Sequence, residues 1–160
     1  MCAAPSLLVL QATNHQFEFM SIAVAVVPGK GLGLVARADI AEGELVAYYL
    51  TKLFSRCSHR TVSTYSMCSG LSGHILDIFD GSFRSPDDDG IPYVAPLVNE
   101  PTGVDGEENC DMWPVPLPDE DGSIRRHGLY TTKPVVRGEE LVWDYGPAYG
   151  PRPYPSKHNK

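Results

Sequence analysis

The sequence predicts a mainly β protein, built from small antiparallel sheets with few short helices. Its 160 residues include 15 Gly and 14 Pro, too many breakers for a helical bundle and enough for frequent turns. Its apolar runs are short, partly β-branched and bounded by turn residues, as strands are. An apolar–turn–Gly–Glu pattern also occurs twice, at Ile40-Ala41-Glu42-Gly43-Glu44-Leu45 and at Val135-Val136-Arg137-Gly138-Glu139-Glu140-Leu141. Each copy reads as a tight turn feeding an apolar strand.

Taken in order, residues 1–19 read as an N-terminal extension or strand, with a short apolar run within residues 3–12. Ser21 to Val27 is apolar and β-branched and ends at Pro28-Gly29-Lys30-Gly31-Leu32-Gly33, a Gly-rich turn before the strand Leu34-Val35-Ala36. A further strand is expected at Leu45 to Tyr49, whereas Thr51 to Arg60, polar and partly basic, reads as a short helix or loop. Thr64 to Cys68 and His74 to Phe79 read as two strands joined by a Gly/Ser turn, and Asp87-Asp88-Asp89-Gly90 as a solvated loop. Trp113 to Val115 and Ser123 to His127 flank an Asp-Gly hairpin signal, and Leu129 to Val136 reads as one more strand. Gly138 to Gly146 is a short buried strand or its exit, and residues 147–160 form a tail rich in Pro, Gly and Tyr.

At 17.5 kDa the chain has the length of one domain, and 42% hydrophobic with 21% charged residues is ordinary for a soluble protein. A net charge of −7 and a pI near 5.1 speak against direct nucleic-acid binding, which needs a basic footprint, and suit a basic partner. No run of about 20 apolar residues exists to span a membrane. Cys2, Cys57, Cys68 and Cys110 show no C-x-x-C spacing, so no metal site is expected, and they read as reduced thiols of an intracellular protein, nuclear or cytoplasmic. Gly31-Leu32-Gly33 lacks the third Gly and the following helix of a dinucleotide loop, and the Lys-Ser/Thr of a Walker loop. What remains is a turn that admits a ligand against bare backbone. The five histidines show neither ligand nor triad spacing.

One by one, Tyr65, Trp143 and Tyr145 are ordinary strand aromatics and Asn99 an ordinary turn residue. Their order is more specific. Gly29 to Ala36, Ile40 to Val46, Thr64-Tyr65, Ile75-Leu76-Asp77, Leu97-Val98-Asn99-Glu100-Pro101 with Asn109-Cys110, and Gly138 to Gly146 together resemble a SET domain, the lysine methyltransferase fold, across residues 20–146. The resemblance is to a minimal SET protein without the zinc-binding segments that flank many relatives. It implies small curved antiparallel sheets in which the Asn99 segment and the C-terminal segment cross as a pseudoknot, a threaded exception to ordinary topology. It also implies S-adenosylmethionine on one face and a protein lysine entering from the other.

Under that resemblance Lys30, Gly31 and Leu32 lay backbone against the cofactor, and Asn99 fixes it with help from the backbone of Glu100. Tyr145 is the phenol beside the transferred methyl and also touches the cofactor, while Tyr65 lines the lysine channel. Trp143 stands where relatives carry the Phe or Tyr that limits the number of methyls: its lack of a phenol favours several, its bulk opposes them. Two departures stand out. Relatives usually have Asn-His-Ser-Cys where this chain has Asn99-Glu100-Pro101, and without a zinc-binding tail the site must be closed by something else, for which Tyr149 or Tyr154 on the adenine is the expectation. The implied partner is a basic protein or peptide such as a histone tail, attracted by whichever acidic loop rims the channel. A catalytically silent module that binds a partner through the same groove, and a small β-rich binding protein with coincidental motifs, are the competing readings.

Overall fold

The computed structural model describes residues 19–59, 61–103, 106–118, 122–149 and 155–158. The run at 3–12, Cys2, His15, the tip of the Asp-Gly hairpin and Tyr154 fall outside the described residues. Among the described residues eight strands are present: β1 (Ile22–Val27), β2 (Gly31–Ala36), β3 (Leu45–Ser55), β4 (Met67–Cys68), β5 (His74–Asp77), β6 (Cys110–Val115), β7 (Ile124–Thr131) and β8 (Glu140–Leu141). The only helical pieces among the described residues are two single 3₁₀ turns, Ala95–Leu97 and Pro147–Tyr149. None is long enough to cross a membrane.

The strands form two sheets, β1-β2-β8 and β4-β5-β3-β7-β6, with every pair antiparallel. Ile22 and Val24 of β1, Leu34 and Ala36 of β2, Leu141 of β8, and Ala47, Tyr49 and Leu129 of the larger sheet share one core. β3 is central and buried on both faces. Tyr48 and Leu50 pack on Tyr93 in a second, smaller cluster, while Tyr49 points into the main core. A bulge between Leu45 and Ala47 lets Val46 and Ala47 both join the main core, as an extra residue in a strand allows.

Three expectations need correction. Thr51–Ser55 is neither helix nor loop but the second half of β3, because it pairs with β5 (Lys52↔Asp77 to Ser55↔His74) and, through Lys52, with β7. Leu129 does not begin a new strand: Gly128 lies inside β7, where a Cβ would sit 2.7 Å from Leu45 Cδ1 and from Tyr130 Cε2. Gly31-Leu32-Gly33 is not the turn but the start of β2, the turn being Pro28–Lys30.

The two Gly–Glu turns face each other. Gly43 and Gly138 both take the left-handed φ (+82° and +89°) that only Gly adopts cheaply, and the strands' neighbours exchange Ile40 N–H to Val135 O (2.8 Å) and Val135 N–H to Ile40 O (2.9 Å). After β8 the chain runs between two earlier segments and parallel to both, bridging Asn99 through Val142 and Cys110 through Trp143. Buried Asn109 locks it there. Its amide donates to Glu140 O (2.8 Å) and its Oδ1 accepts from Val142 N–H (2.8 Å), while its own N–H reaches Val142 O (3.2 Å).

Gly33 is where β2 accepts this crossing. A Cβ there would lie 2.6 Å from Asn99 Nδ2 and 2.6 Å from Val27 Cγ2. Gly33→Ala is therefore expected to destabilise the protein by about 1–3 kcal/mol, the usual range for overpacking, in urea unfolding. Gly31→Ala has no such clash, only the strain of its +87° φ, and an equal or larger loss there would contradict the packing role assigned to Gly33.

Candidate active site

The crossing brings three distant places together. Lys30 Nζ bonds the carboxylate of Glu140 (2.8 Å) and the carbonyl of Glu100 (3.1 Å). Asn99 Nδ2 bonds the other Glu140 oxygen (2.9 Å) and the carbonyl of Leu32 (3.2 Å). Glu140 thus joins the turn before β2 to the Asn99 segment. It was not singled out from the sequence, where the second acid of a Gly-Glu-Glu turn reads as a solvated charge.

Tyr145 donates its phenol to the carbonyl of Val98 (2.6 Å) and stands between two cavities. One, of about 190 Å³, is lined by Lys30, Leu32, Tyr65, Pro96, Leu97, Val98, Asn99 and Tyr145. The other, about 600 Å³, shares Tyr65, Pro96, Val98 and Tyr145 and adds Tyr49, Arg56, the 63–68 segment, Ile75, Trp143 and Tyr149. Of the site residues expected from the sequence, Lys30, Leu32, Asn99, Tyr65 and Tyr145 meet in the small cavity, and Trp143 joins Tyr65 and Tyr145 in the large one. Gly31 lines neither, but nothing lies within 4 Å of where its Cβ would be, so its face is open. The Glu100 side chain is 3% exposed, and its carbonyl is bonded by Lys30.

The aromatics of the large cavity hold one another. Tyr145 lies 5.5 Å from Trp143, edge to face, and 4.7 Å from Tyr149. Tyr149 donates across the cleft to the carbonyl of Thr64 (3.2 Å). It therefore packs in the tyrosine-lined cleft and does not line the small cavity. Tyr49 donates a short hydrogen bond to the carbonyl of Tyr65. Burial pushes the phenols of Tyr49 and Tyr65 above their ordinary pKa, with neighbouring tyrosines adding to it, so both stay neutral well past pH 7.

Asp77 positions the Tyr65 loop and was likewise missed as a functional residue. It is 1% exposed and accepts from Ser63 N–H (2.9 Å), Ile78 N–H (2.9 Å), the Ser63 hydroxyl and His59 (2.7 Å). Ser63 Oγ in turn accepts from Tyr65 N–H (3.0 Å). Burial alone would raise the Asp77 pKa, but the bonds from Ser63, His59 and Ile78 outweigh it and hold it below the ordinary value. No sequence spacing signals these contacts.

A second carboxylate secures the segment 155–158. Asp144 bonds Lys157 (3.0 Å) and His158 (2.6 Å), Lys157 also reaches Glu108 (2.9 Å), and Gly103 N–H donates to Pro155 O (2.8 Å). Burial would raise Asp144, yet the Gly146 N–H with Lys157 and His158 brings it down from 3.8 to about 2. Glu100, Asp144 and His158 hold three potential metal-ligand atoms within 4.8 Å of one another. Within it Asp144 is already paired with Lys157 and His158, a charge-paired clamp for this segment.

Among the described residues, the acidic loops do not rim the tyrosine cleft, and residues 119–121 lie outside the described residues. Asp87 pairs with Arg84 and Arg126, and Asp89 accepts from Tyr48. Glu107, Glu108, Asp111 and Asp144 line a third cavity of about 790 Å³ on the Trp143 side.

Small antiparallel sheets, a C-terminal segment running between two earlier ones, and a phenol walling two cavities define the architecture of one family of methyl-transferring domains. The family model for the SET domain matches residues 31–146, and the chain belongs to the SET-domain family, whose members are generally protein-lysine methyltransferases. Among solved structures it is similar to the ATXR5 SET domain in complex with histone H3 di-methylated on an arginine, at 16% identity and a TM-score of 0.58, over 89% of this chain and 64% of that one. It is also similar to ATXR5 in complex with mono-methylated histone H3.1, at 15% identity and a TM-score of 0.56, over 88% and 62%. The chain thus spans less than two thirds of the length of either, and the likeness is one of fold. A comparison with curated proteins returned no match.

Asp77 and Asp144 both have depressed pKa values in the folded state, so each stabilises the fold above the unfolded value of about 4 and loses that contribution as pH falls through its folded value, about 2 for Asp144. Asp144→Asn is expected to flatten the acid limb of a pH series of urea melts and to raise amide exchange at 155–158. An unchanged acid limb would remove Asp144 from this role. Asp77→Ala leaves several donors unpaired in the interior and is expected to cost about 3 kcal/mol, read by the same melts.

Proposed function

We propose that this protein is an S-adenosylmethionine-dependent methyltransferase acting on a protein lysine, with basic tails such as those of histones as the substrate class that the structural neighbours suggest. The observation that carries this is Tyr145, the shared wall of a small polar cavity and a larger aromatic one. The passage of Val142–Trp143 between the Asn99 and Cys110 segments is, on this reading, the family's pseudoknot.

The donor set of the small cavity fits the cofactor. Lys30 offers a cation for a carboxylate, Asn99 a polar side chain, and Leu32 and Leu97 an apolar wall. At about 190 Å³ the cavity is smaller than the roughly 300–1,000 Å³ usual for a ligand site, so it takes part of the molecule, and the open face at Gly31 leaves room beside it. When bound, the cofactor supplies an activated methyl on a sulfonium.

The residues' task is then alignment, since displacement at carbon needs nitrogen, methyl and sulfur in line. Tyr145, held by Val98 O and by Trp143 and Tyr149, fixes a hydroxyl and a ring edge at the junction of the cavities. Tyr65, Tyr49 and Trp143 exclude water from the amine's side. A lysine ammonium, near 10.4 in water, must lose its proton to react. The burial that raises Tyr49 and Tyr65 penalises any charge there, and so lowers a lysine's pKa. Among the described residues no carboxylate lines this cleft to hold the ammonium, and no side-chain base is required.

Incubation with labelled S-adenosylmethionine, histones and cell lysate tests the reading. Transfer is expected to fall by roughly 10²-fold in Tyr145→Phe, the scale of one lost transition-state hydrogen bond, while calorimetry still shows cofactor binding. Cofactor binding without transfer to any protein would instead indicate the silent module. For an active enzyme, log kcat/KM is expected to rise with pH at a slope near one and then level off, as lysine deprotonates. A bell with an acid limb that moves on mutation of an enzyme carboxylate would contradict base-free chemistry.

A further inference from the structure

Among the described residues, the tyrosine-lined cleft contains one full charge, and it is positive. Arg56 lies just past β3, its backbone fixed by Arg56 N–H to Gly73 O (2.9 Å), and its exposed side chain lines the cleft with the hydroxyl-bearing residues Ser63, Thr64 and Ser66. Among the described residues no carboxylate pairs with its guanidinium, and no Asp or Glu lines the cleft. The carboxylates that could have balanced it are elsewhere: Asp77 is buried beneath the loop, and Asp144 and Glu108 are held by Lys157. A guanidinium beside hydroxyl groups suits a planar or tetrahedral anion, which it meets with paired N–H donors. The same charge repels a second cation arriving next to the target amine.

We propose that Arg56 is a specificity residue that selects a lysine flanked, within a few residues of its own polypeptide, by an anionic side chain, and that disfavours lysines set among other basic residues. The inference rests on the methyltransferase reading for the lysine itself, and it narrows the substrate class from basic tails in general to lysines with an acidic neighbour. Carboxylate and phosphate share the required chemistry.

The test uses the full chain and four lysine peptides that differ only at positions flanking the lysine, carrying Glu, phosphoserine, Gln or Lys. Binding is read by fluorescence anisotropy, and transfer by label from S-adenosylmethionine. Glu or phosphoserine is expected to bind about tenfold tighter than Lys, the span between an attractive and a repulsive contact near the surface. Preference for phosphoserine over Glu would identify phosphate as the source. Arg56→Glu should invert the order and Arg56→Gln abolish it, which separates a charge effect from a loop that fails to fold. Transfer indifferent to the flanking charge in the wild type would overturn the proposal while leaving the methyltransferase reading intact. Charge-sorted binding with no transfer to any peptide would support Arg56 and sink that reading, and binding of none of the four would overturn the proposal.

Discussion

One carboxylate sets the geometry of this molecule. Glu140 receives Lys30 on one oxygen and Asn99 on the other, so the turn before β2, the segment after the first 3₁₀ turn and strand β8 can take up only one mutual arrangement. The pair is largely shielded, with side chains 14% and 21% exposed, where an ion pair is screened less than at the surface. Asn109 performs the neighbouring task with neutral groups, tying the next residues of the chain in place through bonds at both ends of its amide. Everything the cleft presents depends on these two residues. Tyr145 and Trp143 follow within five residues of Glu140, and Val98, which receives the Tyr145 phenol, adjoins Asn99.

Charge is segregated around this frame. The third cavity gathers Glu107, Glu108, Asp111 and Asp144, whereas the cleft holds phenols, an indole, small hydroxyl groups and a guanidinium. Trp143 borders both, so the two environments are separated by one side chain. The net charge of −7 is therefore a poor guide to what the cleft prefers, because among the described residues no acid lines it.

Much of this was legible in the sequence where local chemistry and long-range packing agree. The Gly–Glu turns, the β1–β2 unit and the pairing of β6 with β7 follow from turn residues and apolar runs that no tertiary contact overrides. The gathering of Lys30, Leu32, Asn99, Tyr65 and Tyr145 was readable only from the order of motifs, since they lie far apart along the chain. Where pattern and packing disagree, pattern misleads. Thr51-Lys52-Leu53-Phe54-Ser55 looks like a polar connection, yet pairing with β5 outweighs its weak strand propensity. Gly128 looks like punctuation and is instead a place where three side chains approach the backbone. Glu140 looks like a surface acid and Asp77 like an ordinary strand residue, and the bonds from Lys30, Asn99, Ser63 and His59 that give them their roles come from residues 14 to 110 positions away.

The passage of Val142–Trp143 between the Asn99 and Cys110 segments has a consequence for biosynthesis. Both flanking segments leave the ribosome before the strand that joins them, so the nascent chain can form the β1–β2 ribbon and most of the large sheet while the cleft still lacks a wall. Residues 140–146 then insert into a slot that has been waiting for them, a late, non-local step of the kind that slows β-rich folding. Recognition of any partner is thereby deferred until translation has passed the last of the aromatic residues that line the cleft.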